Sequence, residues 1–208
     1  MNILLVDDHA VVRQGYASLL RALLPTIEVR EAASGEEALS RVQEAVPHLV
    51  IMDFGLPGIS GLETTRRLRQ RLPQLRVLFF SMHDELPLVR QALDVGAAGY
   101  LTKSSAPEVL IEAVRRILEG HAYIEQALAT ELAYTASDQR LQGMTPRELE
   151  IFLMLARGTP TRSIAEQLNI SSKTVSNHLT LLKSKLQVSS HAELVHLGID
   201  MGVVRVAG

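Results

Sequence analysis

The chain contains no cysteine and no tryptophan. Without thiols there can be no disulfide, no thiolate metal site and no cysteine nucleophile, so any metal would be held by oxygen or imidazole. Four Phe and four Tyr in 208 residues leave the core to aliphatic side chains, and a hydrophobic content of 47% provides them. No apolar run approaches the roughly 20 residues of a membrane-spanning helix. The N-terminus also lacks the basic start and apolar stretch of a signal peptide. A soluble, cytoplasmic protein with no membrane partner is expected, long enough for one large domain or two small ones.

A strong excess of either charge is also missing, since the formal net charge is −2. The balance is nevertheless uneven: residues 1–143 hold 14 Lys and Arg against 18 Asp and Glu, whereas residues 144–208 hold 7 against 5. An acidic part precedes a mildly basic one, which is compatible with a nucleic-acid module at the C-terminus.

Short apolar runs alternate with amphipathic stretches through the first part. The pattern predicts strands at about 2–7, 27–32, 48–53, 76–81 and 99–102. Helices are predicted at about 9–23, 34–46, 60–71, 85–96 and 105–120, with Ser34, Ser60 and Ser105 as N-caps and Gly120 just past a C-terminus. Five βα units in succession require a parallel sheet covered on both faces, with ligands bound at the carboxyl ends of its strands. Residues 121–143, with "TASDQRLQG" as their polar core, read as a linker with a short helix from Ile124 to Tyr134. From Thr145 onward the pattern is helical throughout, and Thr145-Pro146, Ser171 and Ser189 or Ser190 mark helix starts. Four short helices fit there.

The polar residues at the strand ends carry the chemistry. Asp7 and Asp8 close the first strand in "NILLVDDHA", Asp53 the third in "LVIMDFGLPGISG", and Ser81 the fourth in "VLFFSMHDE", while Lys103 follows the fifth in "GYLTKS". All five fall on one edge of the sheet. Adjacent carboxylates repel unless something neutralises them, and oxygen-only ligands favour a hard cation such as Mg²⁺. A carboxylate beside Mg²⁺ and a Lys can attack a phosphoryl donor in line, because both cations neutralise the transferring oxygens. Singly, an Asp-Asp pair is more often a solvated turn, a Ser a helix cap and a Lys surface charge. Their joint occurrence at strand ends is what argues for a site.

This constellation resembles the receiver domain of bacterial response regulators over residues 1 to about 120. The resemblance implies a (βα)5 doubly wound, flavodoxin-like α/β fold. It implies that Asp7, Asp8 and Asp53 hold Mg²⁺ together with the backbone carbonyl of Gly55, and that Asp53 accepts phosphate from a sensor histidine kinase. Ser81 and Lys103 would contact the phosphoryl group, and Tyr100 would stand where the family has an aromatic switch paired with Ser81. Packing alone also accounts for an aromatic in a strand. His83, two residues past Ser81, could modulate phosphoryl hydrolysis or be simply an exposed loop residue.

The segment "SIAEQLNISSKTVSNHLTLLKSKL" carries the second signal. Ile164, Ala165, Leu168 and Ile170 form one apolar side, a tight turn follows near Asn169, and Ser171 caps a helix with Val175, Leu179, Leu182 and Leu186 at core spacing. Lys173, Thr174, Ser176, Asn177 and Thr180 are left facing outward, where small polar side chains can enter a major groove. Residues 144 to about 200 look like the LuxR-type helix-turn-helix of NarL/FixJ response regulators, through "MTPRELEIF", Gly158, "IAEQLNIS", "TV", His178 and Lys185-Leu186. The resemblance implies a small all-α domain over 144–208 that binds double-stranded DNA through Lys173, Thr174, Ser176, Asn177, His178, Thr180, Lys183 and Lys185. Members often carry Lys at the place of Ser176 and Arg at that of His191, so the basic contacts are thinned here. Glu148 is expected to serve structure through a buried or capping hydrogen bond. A homodimer on phosphorylation is expected, with Leu194, Leu197, Ile199 and Met201 of the last helix as apolar candidates for the contact.

The reading is therefore a phosphorylation-controlled transcription regulator of a two-component system, not an enzyme. Two rivals stand beside it. A Mg²⁺-dependent phosphohydrolase of the haloacid-dehalogenase type would need a second acid two residues after the nucleophile, where this chain has Gly55. A DNA binder with a degenerate receiver would not need the intact acidic set.

Overall fold

Successive residues of the central strands are apolar on both sides, which suits strands buried on both faces of a sheet. In the computed structural model, which describes residues 1–134 and 139–201, the chain divides into a first compact unit of residues 1–84 and 89–133 and a second of residues 85–88 and 134 onward. The first unit runs β1 (Asn2–Val6), α1 (Ala10–Leu23), β2 (Glu28–Ala32), α2 (Gly35–Glu44), β3 (Leu49–Met52), α3 (Gly61–Arg71), β4 (Arg76–Ser81), α4 (Leu86–Asp94), β5 (Gly99–Thr102), α5 (Pro107–Leu118), β6 (Tyr123–Ile124) and α6 (Gln126–Tyr134). The sheet order is β2-β1-β3-β4-β5-β6, with every pair parallel. The first five strands and five helices are those the sequence pattern predicts.

Ile3, Leu5, Leu49, Ile51, Leu78, Phe80 and Leu101 share one core with Ala17 and Leu20 of α1 and Leu110, Val114 and Ile117 of α5. Residues one step along each strand, Leu4, Val6, Val50, Met52, Phe79 and Tyr100, are buried as well, so they fill the opposite face. The helix starts are local chemistry. Ser34 Oγ accepts the Glu37 amide at 3.1 Å, and Ser60 Oγ accepts that of Glu63 at 3.3 Å. Ser105 does not cap α5 as predicted: Ala106 holds the cap position and Pro107 begins the helix. Proline is preset for that position, and its missing N–H needs no cap.

The segment read as a linker departs furthest from expectation. Its first part adds a sixth strand, with Gly99 opposite Tyr123 and Tyr100 opposite Ile124, and then turns into α6. Two residues of strand carry no detectable alternation, so periodicity could not reveal them.

The second unit consists of α7 (Gln139–Gln142), α8 (Pro146–Ala156), α9 (Thr161–Gln167), α10 (Ser172–Leu186) and α11 (His191–Asp200). Helix α8 is buried from Glu148 to Ala156 and contacts the three helices that follow it. Its start is a capping box, in which the Glu148 amide donates to Thr145 Oγ1 at 3.3 Å and the Thr145 amide donates to Glu148 Oε2 at 2.8 Å, the structural role expected of Glu148. Asn169 adopts φ 50° in the turn between α9 and α10, a conformation Asn tolerates better than most residues. Ser171 Oγ then caps α10 through the Thr174 amide at 3.0 Å, and Ser190 caps α11. Val175, Leu182 and Leu186 are buried, but Leu179 is only half-buried and Leu181 is 51% exposed.

Candidate functional site

Parallel strands that end together bring their next residues together. Residues after β1, β3 and β5 therefore meet at the carboxyl edge beside the switch between β1 and β3, where helices leave the sheet on opposite faces. Asp7 and Asp53 are buried, and the Asp53 amide donates to Val6 O at 2.9 Å, continuing the ladder of neighbouring strands. Lys103 follows β5 directly, with its own amide bonded to Ser81 O at 2.8 Å.

Three of these side chains meet directly. Lys103 Nζ donates to Asp53 Oδ2 at 2.6 Å and to Asp7 Oδ2 at 2.7 Å, across 50 and 96 residues of sequence. All three side chains are under a tenth exposed. The other Asp53 oxygen, Oδ1, accepts the Phe54 amide at 2.7 Å, and Asp7 Oδ1 accepts that of His9 at 2.8 Å. Burial pushes the Asp53 carboxyl above its ordinary range, while Lys103 opposes the shift. Burial pulls the Lys103 ammonium down, but Asp53 and Asp7 outweigh it and the net shift is upward.

Asp8 stands one residue further out. Its Oδ1 is buried and has no hydrogen-bond partner among the described residues; His9 Nδ1 lies 2.9 Å away but outside hydrogen-bonding geometry. Ligand atoms of Asp7, Asp8, His9 and Asp53 all lie within 4.8 Å of one another. Three carboxylates and one unpartnered buried oxygen fit a hard divalent cation, whose charge would meet repulsion that Lys103 only partly offsets. Two contributors are absent from the sequence reading. His9 adds an imidazole at the rim, signalled only by its adjacency to the acidic pair. Arg13 of α1 donates to the Asp7 carbonyl at 2.5 Å, a backbone contact that residue type alone cannot announce.

Ser81 is fully buried at the end of β4, and its Oγ accepts the His83 amide at 3.3 Å. Tyr100 is fully buried on β5, stacked on Phe79 with ring centroids 6.1 Å apart, and its hydroxyl donates to the His83 carbonyl at 2.8 Å. Burial pushes its phenol far up, with the Ser81 hydrogen bond opposing. His83 also sets its ring edge against Phe54 at 5.6 Å. Gly55 lies in the half-buried loop after β3. Further along, Gly61 opens α3 so close to the chain that any Cβ would overlap the Asp53 carbonyl, so glycine is required there.

In the second unit, Lys173, Ser176, Asn177 and Thr180 are exposed along α10. Two of these are internally engaged: Ser176 Oγ donates to Ser172 O at 3.0 Å and Thr180 Oγ1 to Ser176 O at 3.1 Å. Thr174 is half-buried against the Ser171 cap at 2.8 Å. Lys173 and Asn177 carry no side-chain hydrogen bond among the described residues. Lys183 is half-buried. His178 is half-buried, and Lys185, though exposed, is ion-paired. His178 Nδ1 is buried without a partner among the described residues, and burial lowers the ring's pKa against the opposing charge of Glu148. Lys185 Nζ is held by Glu148 Oε2 at 2.6 Å. Burial pushes Glu148 up, but Lys185 and the Thr145 contacts outweigh it and hold the carboxylate below its usual range.

Comparison with known proteins agrees with this geometry. Residues 3–115 match the response regulator receiver domain, and residues 142–198 match the luxR family of bacterial regulatory proteins. The chain belongs to the response regulators. It is 69% identical over 213 residues to the transcriptional activator protein ExaE of Pseudomonas putida, with 100% of each chain covered. It is 35% identical to the response regulator UvrY of Escherichia coli K12, over 98% of this chain and 95% of that one. A solved LuxR-family two-component response regulator from Aurantimonas shares 41% identity and a TM-score of 0.62, over 64% of this chain and 95% of that one. The response regulator therefore joins a receiver to a LuxR-type DNA-binding domain, in a family of transcription regulators rather than enzymes. No helix among the described residues is long and apolar enough to cross a membrane.

Proposed function

We propose that this response regulator accepts a phosphoryl group on Asp53 from a sensor histidine kinase, with Mg²⁺ held by Asp7, Asp8, Asp53 and the Gly55 carbonyl, and that phosphorylation promotes a homodimer bound to double-stranded DNA. The observation that carries the reading is the Lys103 ammonium lying within 2.7 Å of both Asp53 and Asp7 in a buried pocket that also holds an unpartnered Asp8 oxygen. In the transfer an Asp53 carboxylate oxygen forms a bond to phosphorus. The bond from phosphorus to the donor's histidine nitrogen breaks, and its electron pair stays on that nitrogen. The cation, when bound, supplies positive charge against the phosphoryl oxygens.

Lys103 can exchange its Asp53 contact for a phosphoryl oxygen, and Ser81 Oγ can donate to a second one. If the Ser81 side chain rotates toward that oxygen it leaves the His83 amide, and the same loop carries the carbonyl that Tyr100 holds. Ser81 and Tyr100 are thus mechanically linked through His83, the arrangement a switch requires. Along α10, Lys173 and Asn177 are the side chains best disposed toward base edges, with Thr174, Ser176, Thr180 and Lys183 around them; Lys185 would act only after releasing Glu148, and His178 only after its half-buried ring turns outward. A two-fold dimer would set two recognition helices about one helical turn, roughly 10 bp, apart. Ile199 is 36% exposed on α11, so it is available for such a contact, whereas Leu194 is fully buried in its own unit.

The deciding test is Asp53→Asn. Labelling by acetyl phosphate in magnesium chloride is expected to vanish while the protein remains folded; a fully labelled variant would refute the assignment.

A further inference from the structure

Strand β6 is too short to satisfy the strand beside it, and one side chain makes up the difference. The Tyr123 amide donates to Ala98 O at 3.0 Å and the Glu125 amide to Tyr100 O at 3.1 Å, so β6 follows β5 in regular register up to Glu125. There the chain turns into α6, and the Glu125 carbonyl is taken by the Ala129 amide at 2.9 Å. The next donor on β5, the Thr102 amide, is thereby left without the backbone acceptor that a longer strand would offer. Glu125 Oε2 takes its place, accepting the Thr102 amide at 3.1 Å and the Thr102 hydroxyl at 2.8 Å. Thr102 is 6% exposed, so losing this acceptor would strand the buried Thr102 amide.

Thr102 immediately precedes Lys103. Its Oγ1 also lies 2.8 Å from Ser104 Oγ and 3.2 Å from Ser105 Oγ, and the Ser105 amide donates to Thr102 O at 3.2 Å. The turn that presents Lys103 to Asp53 is thus closed around Thr102, and Thr102 is fixed by Glu125. This explains why Ser105 is absent from the cap of α5: its hydroxyl belongs to this network. We infer that Glu125, at the junction of β6 and α6, is a positioning residue for Lys103 that ties the phosphoacceptor pocket to the start of helix α6. The inference rests on the proposed role of Asp53 and Lys103, and it gives the segment after the fifth βα unit a part in the site that its sequence pattern does not suggest.

The test is beryllofluoride binding to the full chain in magnesium chloride, followed by fluorine NMR. Glu125→Ala is expected to weaken binding about tenfold. Glu125→Gln, which keeps an acceptor oxygen, should stay within about twofold of the parent, a rescue that a purely charge-based role would not give. In a Lys103→Ala background Glu125→Ala should cause no further loss, because its effect passes through the lysine. If Glu125→Ala fails to fold, Thr102→Val carries the same comparison, with a loss of about threefold. Unchanged binding in Glu125→Ala, failure of Glu125→Gln to rescue, or an undiminished loss in the Lys103→Ala background would each overturn the inference while leaving the phosphoacceptor reading intact. Absence of beryllofluoride binding by the parent protein would overturn both.

Discussion

Replacing Lys103 by methionine tests the electrostatics of the pocket most directly. The ammonium touches two carboxylates at 2.6 and 2.7 Å, and the three side chains are only 7%, 8% and 3% exposed. Solvent cannot screen such a cluster, so the small values typical of surface pairs do not apply. Removing the cation from a buried ion pair costs about 3 kcal/mol, because the partner charges remain. Here two remain, facing each other, and one of them escapes by taking a proton. The folded variant then binds more protons than the unfolded chain, so its stability must fall as pH rises. The loss should be near 3 kcal/mol at about pH 8 in chelator and should shrink by up to about 1.4 kcal/mol per pH unit on acidification. Magnesium chloride should restore part of it. In the parent protein the raised Lys103 value acts oppositely: its contribution is complete below the ordinary lysine pKa of about 10.4 and is lost as pH climbs through the higher folded value. Three of the four tyrosines, Tyr16, Tyr100 and Tyr123, lie in the N-terminal unit, and there is no tryptophan. Tyrosine fluorescence in a urea titration therefore reports chiefly the receiver within the intact chain. A loss below about 1 kcal/mol that is independent of pH and magnesium would refute the reasoning.

Three further outcomes follow from the same structure. Asp8→Ala should weaken Mg²⁺ affinity and acetyl-phosphate labelling together, by at least about tenfold, as read by calorimetry and by phosphoprotein gels; undiminished labelling in chelator would exclude the metal role. Asn177→Ala should cost about 1–3 kcal/mol of discrimination between duplexes without altering the salt slope, whereas Lys183→Ala should lower that slope by roughly 0.9 if it neutralises one phosphate. A selection among random duplexes followed by salt titrations separates the two. Glu148→Gln should destabilise the helical unit by about 1 kcal/mol at neutral pH, a modest figure because Lys185 is 42% exposed. Since the folded Glu148 value is depressed, its stabilisation is present above the ordinary value of 4.5 and lost as pH falls through the folded one; equal pH dependence of parent and variant would count against it.

Legibility of these features in the sequence tracks how much chain each one uses. The five βα units repeat a pattern over some 120 residues, each a short apolar run followed by an amphipathic one, so their order and the shared edge of Asp7, Asp53, Ser81 and Lys103 could be read directly. The helix-turn-helix was legible through its helical spacing, down to the tight turn near Asn169, where the structure adds the φ of 50°. Interactions that use one residue leave no period. Arg13 reaches a carbonyl, Glu125 an amide, and backbone partners have no signature in residue type. Pairing was equally hidden at Lys185: helical spacing puts it on the polar side of α10, but only the fold brings Glu148 from the start of α8 within 2.6 Å of it.

That distinction bears on how the protein can work. The proposed phosphoacceptor pocket is built from residues at the ends of mutually reinforcing parallel strands. What can change on phosphorylation is the set of single-residue contacts: Ser81 with the His83 amide, Tyr100 with the His83 carbonyl, Lys103 with Asp53, Glu125 with Thr102. Each is one or two hydrogen bonds, worth about 1 kcal/mol apiece net between neutral groups and about 1.5–3 kcal/mol where Lys103, Asp53 or Glu125 carries charge, small against the burial of a whole strand and therefore reversible. A phosphoryl group that draws Lys103 and Ser81 toward itself disturbs all four, because they meet in the two loops that follow β4 and β5. A rigid sheet edge carrying weak, connected loop contacts is the arrangement in which a local charge can shift a population without unfolding the domain that senses it.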